Sequence, residues 1–438
     1  MRHGLSFVIP LAMLALLLTA RDTRAQAAPP ATEAAISAAV DAGLPHALEL
    51  LTRAVDINSG TLNLAGVREV GDLFAQELGA LGLRTKWIEG AAFQRAGHLV
   101  ASKPGQGRCV LLIGHLDTVF EADSPFQRFE AVSDDRARGP GAIDMKGGDV
   151  IIVEALRALR SAGALERACI SVVMTGDEES VGRPIAASRA ALIEAAVKAD
   201  VSLGFEDGDG RPETAVVSRR GSSQWVLRAT GTPAHSSQIF KPEYGSGAIY
   251  ETARILSRFH DELSTWENLT FNPGVIVGGT TAELDTDQGR GEAFGKNNVI
   301  ARSVSVTGDL RAISPEQLRD AEQRMREIVA AHHPATGAEL EISHAYPPMA
   351  ASDGNKALLA MYDQVSRDLG FGPVTADDPR AAGAADVSFT AQHVEMALDG
   401  LGLMGTGGHT DQETADLRTL PMQAKRAAVL IYRLTSGR

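Results

Sequence analysis

The chain has 438 residues, 44% of them hydrophobic, which is enough for two domains with substantial cores. Its formal net charge of −13 at pH 7 argues against nucleic acid or an anionic membrane as a partner. With only two cysteines a cysteine-rich zinc site is excluded, so that any metal would be held by histidine and carboxylate side chains.

The first 27 residues are predicted to be a secretory signal peptide. Arg2 and His3 precede an apolar run from Leu5 to Ala20, and residues 25–27 offer a small-x-small cleavage site. The run is short for a stable membrane span, although a retained N-terminal anchor is the alternative. No later segment is expected to span a membrane. We therefore expect an exported chain, periplasmic in a Gram-negative cell, or secreted.

The central predicted strand ends in two polar residues. Helical patterns between Thr32 and Ala80 and two short strands come first, and the apolar run Cys109–Ile113 is then typical of a buried strand. His115 and Asp117 follow it at the strand end, where open α/β sheets place their sites. Taken alone, this motif fits equally a metal site, with Asp117 supporting the ligand His115, and a loop in which both side chains cap backbone groups.

Three further segments deliver carboxylates in the same way. Asp144 lies in a glycine-rich turn before a helix predicted from Gly148 to Ser161, where it could bridge two cations or cap the helix. A second strand, Cys169–Met174, leads to Glu178 and Glu179, and a third leads to Glu206 and Asp207. Adjacent carboxylates repel one another unless cations offset them, so the repeated pattern favours a metal site over solvated turns.

The two cysteines, Cys109 and Cys169, each begin a predicted buried strand. An exported chain could oxidise them, but pairing cannot be deduced from sequence. We expect two inert, buried thiols.

The pattern changes after Ala215. A strand is predicted at Ser222–Thr230, and helices are predicted at about Ser246–Leu263 and Pro315–His332. The second helix opens with Ser314 and Pro315 as cap and first helical residue. With strands near Val275, Val304 and Glu339, this segment is predicted to form an α+β unit.

The order of these motifs resembles that of the di-zinc exopeptidases, a family that includes glutamate carboxypeptidases, aminoacylases, succinyl-diaminopimelate desuccinylase and acetylornithine deacetylase. Exported glutamate carboxypeptidases of the carboxypeptidase G type are the most similar. The motifs are GHLDTV at 114–119, GPGAIDMKGG at 139–148, GDEES at 176–180, Phe205-Glu206, and Gly407-Gly408-His409.

The resemblance implies an α/β fold with two parts. A three-layer αβα catalytic domain with a mixed sheet would comprise residues 28–215 and 348–438. An α+β, ferredoxin-like lid and dimerisation domain would be inserted at residues 216–347, giving a homodimer through the lid.

The resemblance also implies a site with two Zn²⁺ ions per subunit, with Co²⁺ or Mn²⁺ as substitutes. One ion would be held by His115, Asp144 and Glu206, and the other by Asp144, Glu179 and His409. Asp117 would orient His115, and Glu178 would be the general base. Because Asp207 stands where a proline is common in the family, the choice between Glu206 and Asp207 as ligand stays open.

For the substrate, the resemblance implies a small peptide or N-acyl amino acid. His235 would reach an active site, often that of the neighbouring subunit, Asn298 and Arg311 would bind the substrate carboxylate, and Gly383 would line the pocket. The expected reaction is hydrolysis of an amide bond next to a free carboxylate, releasing an amino acid such as glutamate from a peptide or folate-like conjugate. The alternatives are an N-acyl-amino-acid deacylase and a non-catalytic periplasmic binding protein.

Overall fold

The structure is a computed structural model that describes residues 1, 30–286 and 288–437. Residues 2–27 of the predicted signal peptide lie outside the described residues. In chain order the elements before residue 216 are α1 (Ala31–Asp56), α2 (Leu64–Ala80), β1 (Arg84–Glu89), β2 (Gly97–Lys103), β3 (Gln106–His115), β4 (Glu130–Ser133), β5 (Arg136–Arg138), α3 (Lys146–Ser161), β6 (Ala168–Thr175), α4 (Ile185–Ser188), α5 (Ala190–Ala196), β7 (Val201–Gly204) and β8 (Thr214–Ala215).

The later elements begin with those of the predicted α+β segment. They are β9 (Ser222–Gly231), α6 (Gly247–Leu263), β10 (Thr270–Gly279), β11 (Thr281–Asp285), β12 (Arg290–Phe294), β13 (Ser303–Arg311), α7 (Pro315–Ala330), β14 (Thr336–Tyr346), α8 (Asp353–Asp368), β15 (Thr375–Ala376), β16 (Met396–Leu398), β17 (Gly405–Thr406), β18 (Thr414–Asp416) and α9 (Thr419–Ser436).

A six-stranded mixed sheet in the order β1-β2-β6-β3-β7-β16 is covered by helices on both faces. Strands β6, β3, β7 and β16 run parallel, whereas β1 and β2 pair antiparallel at one side. Along β3, Val110 and Leu112 pack with α1, α3 and α9, and Leu111 and Ile113 pack with α5. Because successive side chains point to opposite faces, the unbroken apolar run reflects burial on both sides. The predicted αβα architecture is confirmed.

The segment after residue 221 builds a second layer structure with its own core. Its antiparallel sheet has the order β10-β13-β9-β14, and α6 and α7 pack against it. On β9 the buried residues alternate, with Trp225, Leu227 and Ala229 facing the helices. One buried face explains the period-two pattern, and the predicted α+β unit is confirmed.

Helix α1 departs from the expectation that no later segment could span a membrane. The helix Ala31–Asp56 is long and apolar enough to cross a membrane, with a mean hydropathy of 1.2 in its most apolar stretch. One side of the helix, including Ile36, Leu50 and Leu51, is buried in the core shared with α3 and α9. The larger apolar side chains on this side thus pack within the fold, although only 28% of the most apolar stretch of the helix is buried.

The expectation of two free thiols is wrong, because Cys109 and Cys169 form a disulfide with a Cα–Cα distance of 4.5 Å. The two residues lie opposite each other on the adjacent parallel strands β3 and β6. The sequence could not show this pairing, since it depends on which strands are neighbours and in what register.

Candidate metal centre

The predicted ligands meet because three parallel strands end at the same edge of the sheet. His115 is the last residue of β3, Glu179 follows β6, and Glu206 follows β7. Strand β3 lies between β6 and β7 in the sheet. The carboxyl ends of neighbouring parallel strands adjoin, so each strand delivers one side chain to a common crevice.

Asp144 reaches the same crevice from a turn that a buried carboxylate holds in place. Glu413, only 1% exposed, accepts backbone N–H bonds from Gly141, Ile143 and Asp144 at 3.1, 2.8 and 3.3 Å. Gly141 has φ +73°, a conformation that favours glycine. Sequence reasoning missed Glu413; the available signal was its place four residues after His409 in the loop that carries this ligand.

The first group of candidate ligands is centred on His115. Its Nε2 lies 3.1 Å from Asp144 Oδ1 and 3.6 Å from Glu206 Oε1. The side chain is 1% exposed. All three ligand atoms lie within 4.8 Å of one another, a spacing that suits a common cation.

The second group shares Asp144 with the first. The Nε2 atom of His409 lies 2.9 Å from Asp144 Oδ2 and 3.3 Å from Glu179 Oε2. The two oxygens of Asp144 therefore face two different histidines. This is the arrangement expected of a carboxylate that bridges two cations.

Asp117 organises both the histidine and the acidic loop. Its carboxylate accepts the backbone N–H groups of Glu178 and Glu179 at 3.0 and 3.1 Å, and the hydroxyl of Thr61 at 2.6 Å. Its backbone oxygen lies 3.0 Å from His115 Nδ1. In a metal-bound centre, a proton on Nδ1 would donate to that oxygen and leave the Nε2 lone pair free to ligate a cation beside Asp144 and Glu206.

The candidate metal centre contains a buried excess of carboxylate groups. Burial raises the pKa of Glu206 well above its ordinary value, and burial together with the nearby Asp144 raises that of Glu179. Hydrogen bonds to Asp144 and Glu179 raise the pKa of His409 to about 11. Burial by itself would raise the pKa of Asp144, but hydrogen bonds from His115 and His409 outweigh it and lower the pKa. The site thus stabilises cations at both positions.

Glu178 lies beside the ligands without belonging to either group. Burial raises its pKa well above the ordinary value, and the neighbouring carboxylates Asp386 and Glu179 add to the effect. A carboxylate with a raised pKa is a stronger proton acceptor, which suits a general base.

The geometry separates Glu206 from Asp207. Glu206 belongs to the group around His115, whereas Asp207 belongs to neither group found among the described residues. Burial raises the pKa of Asp207 to about 8, with a further contribution from Asp144. Of the two, only Glu206 therefore lies in a candidate ligand group.

His235 and Asn298 are brought to each other but not to the ligand groups. Both are exposed, and the backbone N–H of Ser236 donates to the carbonyl of Asn298 at 2.9 Å. The His235 Nδ1 lies 2.9 Å from the hydroxyl of Ser237. Among the contacts of the described residues, none joins His235 to a ligand of either group.

Arg311 is the last residue of β13, whereas Asn298 precedes the strand. The strand runs from Ser303 to Arg311, a span of about 26 Å at roughly 3.3 Å per residue. The whole length of this strand therefore lies between the two residues in the chain. Gly383 accepts a hydrogen bond from Arg219 at 2.9 Å, and a Cβ added at this glycine would meet open space.

Comparison with known proteins agrees with this geometry. Residues 111–433 match the sequence profile of "Peptidase family M20/M25/M40". Carboxypeptidase G2 of Pseudomonas sp. (strain RS-16) is 27% identical over 407 residues, covering 90% of each chain. Succinyl-diaminopimelate desuccinylase of Acidiphilium cryptum (strain JF-5) is 26% identical over 375 residues, 82% of this chain and 90% of that one.

A solved structure shows the same fold. The YXEP protein of Bacillus subtilis, described as a dinuclear metal binding peptidase from the M20 family, has a TM-score of 0.64 and 15% sequence identity. The similarity covers 90% of this chain and 99% of that one.

Proposed function

Because this chain belongs to peptidase family M20/M25/M40, whose members hydrolyse amide bonds, we propose that it is a dinuclear zinc hydrolase that releases a C-terminal amino acid such as glutamate. The observation that carries the proposal is the pair of three-residue groups that share Asp144. The similarity to carboxypeptidase G2 supports a substrate with a free carboxylate beside the scissile bond.

The residues fit two metal ions. His115, Asp144 and Glu206 would hold one and Asp144, Glu179 and His409 the other, all through nitrogen or oxygen donors that suit zinc and accept cobalt or manganese. Glu179 Oε1 is buried without a hydrogen-bond partner, which is costly unless a cation occupies the site. When bound, such ions lower the pKa of water and polarise a carbonyl.

Glu178 would move the proton in the reaction. It would accept a proton from the attacking water and pass it to the departing amine. Asp117 would keep Glu178 in place through the backbone N–H at 3.0 Å, while its own backbone oxygen fixes the tautomer of His115.

Arg311 would bind the substrate carboxylate. Its guanidinium is 35% exposed and lies 3.0 Å from Asp309, so that it is preoriented by one carboxylate while keeping donors for another. Gly383 would leave room for the substrate in the pocket.

We propose residues 216–347 as a lid domain that also forms a homodimer, with residues 28–215 and 348–438 as the catalytic domain. The separate hydrophobic core of the lid supports this division. His235 and Asn298 would act on the partner's site, which accounts for their lack of contact with the ligand groups of their own chain.

A subunit-exchange experiment tests the role of His235. His235→Ala and Glu178→Ala should each be nearly inactive, but their heterodimers contain one site with both an intact base and an intact lid histidine. Mixed proteins should therefore recover up to about a quarter of wild-type activity, since half the dimers are mixed and each has one intact site. If exchange is verified by mass and no activity returns, His235 does not serve the neighbouring subunit.

The desuccinylase relative favours a second candidate, an N-acyl-amino-acid deacylase using the same residues. A panel of dipeptides, N-acyl amino acids and folyl-glutamate separates the two by kcat/KM. A binding protein without catalysis would cleave none of them, and it would have no need of Glu178.

A variant of the best substrate from this panel tests whether the enzyme binds the substrate carboxylate. Replacing the α-carboxylate of the best substrate by a carboxamide should lower kcat/KM about 10- to 100-fold, because hydrogen bonds to charged groups contribute about 1.5–3 kcal/mol. Equal kcat/KM for acid and amide would refute a carboxylate-binding role for Arg311.

We also propose that the chain is exported, to the periplasm in a Gram-negative cell. The pattern of residues 1–27 is that of a signal peptide, and the Cys109–Cys169 disulfide is typical of oxidising compartments.

A further inference from the structure

The chain passes twice between the six-stranded sheet and the sheet β10-β13-β9-β14, and the two passages lie side by side. One consists of residues 216–221, leading to β9, and the other begins at the end of β14 and includes residues 346–349. Arg219 and Met349 pair as a short antiparallel bridge, with both N–H···O distances 2.9 Å. A side chain at the second passage reaches the acidic loop of the candidate metal centre.

That side chain is Tyr346, the last residue of β14. It is 9% exposed, and its hydroxyl donates to the backbone carbonyl of Glu178 at 2.8 Å. The same hydroxyl accepts a hydrogen bond from Arg189 at 3.0 Å. The ring packs on Phe389 with 5.0 Å between centroids. A buried hydroxyl with both donor and acceptor roles filled has a fixed orientation.

Arg189 restricts the motion of the Tyr346 hydroxyl. The guanidinium is fully buried, and it pairs with Asp177 and with Asp386, the latter at 2.7 Å. It also donates to the backbone oxygen of Asp177 at 3.2 Å. The Tyr346 hydroxyl is thus held by a buried ion-pair network of Arg189, Asp177 and Asp386 next to the loop that carries Glu178.

Both polar atoms of the peptide group between Glu178 and Glu179 make hydrogen bonds. Its carbonyl oxygen accepts from Tyr346, and its N–H donates to Asp117 at 3.1 Å. A peptide group is planar, so two hydrogen bonds on opposite sides determine the direction of its plane. That plane sets where the side chains on either side of it, Glu178 and Glu179, can point.

We infer that Tyr346 is a positioning residue for the acidic loop, holding the Glu178–Glu179 peptide and linking it to the end of β14. The inference rests on the proposed roles of Glu178 as base and Glu179 as ligand. The hydroxyl of Tyr346 binds the Glu178 backbone and Arg189, and its ring packs on Phe389, so we assign this residue no part in the chemistry itself. It acts by restricting the two carboxylates to their working orientation.

The variant Tyr346→Phe removes the hydroxyl and keeps the ring that packs on Phe389. The chain supplies a matched control in Tyr362→Phe, because the Tyr362 hydroxyl donates to Gln423 at 3.0 Å and its ring lies 5.8 Å from the Arg426 guanidinium. The corresponding distance from the Tyr346 ring to Arg189 is 5.7 Å. Tyr362 is 1% exposed on α8 and contacts none of the candidate ligands.

With zinc-loaded protein we expect Tyr346→Phe to lower kcat about tenfold at nearly unchanged KM and unchanged metal content, since a misdirected base affects the reaction more than substrate binding. Tyr362→Phe should stay within about twofold of wild type. A kcat for Tyr346→Phe within twofold of wild type, or an equal loss in Tyr362→Phe, would overturn the inference.

The visible absorption of Co²⁺-loaded protein gives a readout that does not depend on activity, because the band responds to ligand geometry. Tyr346→Phe should shift the absorption band, because the loss of the hydroxyl changes the orientation of the ligand Glu179. Tyr362→Phe should leave the band unchanged. If the wild type cleaves no amide substrate, the proposed function fails and this spectrum alone decides the inference. An unshifted band in Tyr346→Phe would then refute it.

Discussion

Replacing Glu178 with alanine is expected to leave the metal content unchanged and to lower kcat at least about a hundredfold. The side chain belongs to neither ligand group, so its loss removes a proton acceptor and no ligand. The backbone N–H of residue 178 still donates to Asp117, which keeps the loop in place. Elemental analysis and steady-state kinetics on the same preparation measure both quantities.

The adjacent residue supplies the control. Glu179→Ala should lose metal from the group that it shares with His409, because its carboxylate lies 3.3 Å from the imidazole. A Glu178→Ala protein that loses metal as well, or that remains nearly as active as wild type, would contradict the assignment of Glu178 as base.

Replacing Asp144 with alanine is expected to remove most of the bound metal and the activity with it. The two oxygens of this carboxylate lie 3.1 Å from His115 and 2.9 Å from His409, so one substitution takes a ligand from both groups. The turn itself should persist, because Glu413 binds the backbone N–H groups at residues 141, 143 and 144.

His409→Ala should weaken mainly one metal position, since this histidine belongs to only one group. About one metal per chain is therefore expected in His409→Ala and close to none in Asp144→Ala. Equal metal retention in the two variants would rule out Asp144 as a shared ligand.

The central part of the fold could be predicted because burial on both faces leaves a strong signal. The apolar run that ends at Ile113 and the alternation on β9 each reflect a local rule of side-chain direction. The strand ends at His115, Glu178-Glu179 and Glu206-Asp207 could be grouped because parallel strands bring their carboxyl ends together, whereas the choice of ligands among them came from the resemblance.

Other features depend on contacts between distant segments, which a single sequence does not show. His409 was found only through the resemblance, because its loop lies more than 200 residues after Glu206 in the chain. The pairing of Cys109 with Cys169 required the register of β3 and β6. Tyr346 binds a backbone group of a remote loop, and no motif marks it; Glu413 does the same and is marked only by its place four residues after His409.

The separation of Asn298 and Arg311 has the same origin. Both were assigned to the substrate carboxylate, but Asn298 precedes β13 and Arg311 ends it, so that the whole strand lies between them in the chain. Only the extended rise of that strand, about 26 Å over its length, shows how far apart its two ends lie.

The most direct test of the account is a zinc titration of the metal-free protein during hydrolysis of one N-acyl-glutamate substrate. We predict no turnover without metal and a plateau of activity at about two equivalents of zinc per chain. Full activity in the metal-free protein, or a plateau at a single equivalent, would contradict a dinuclear centre built on Asp144.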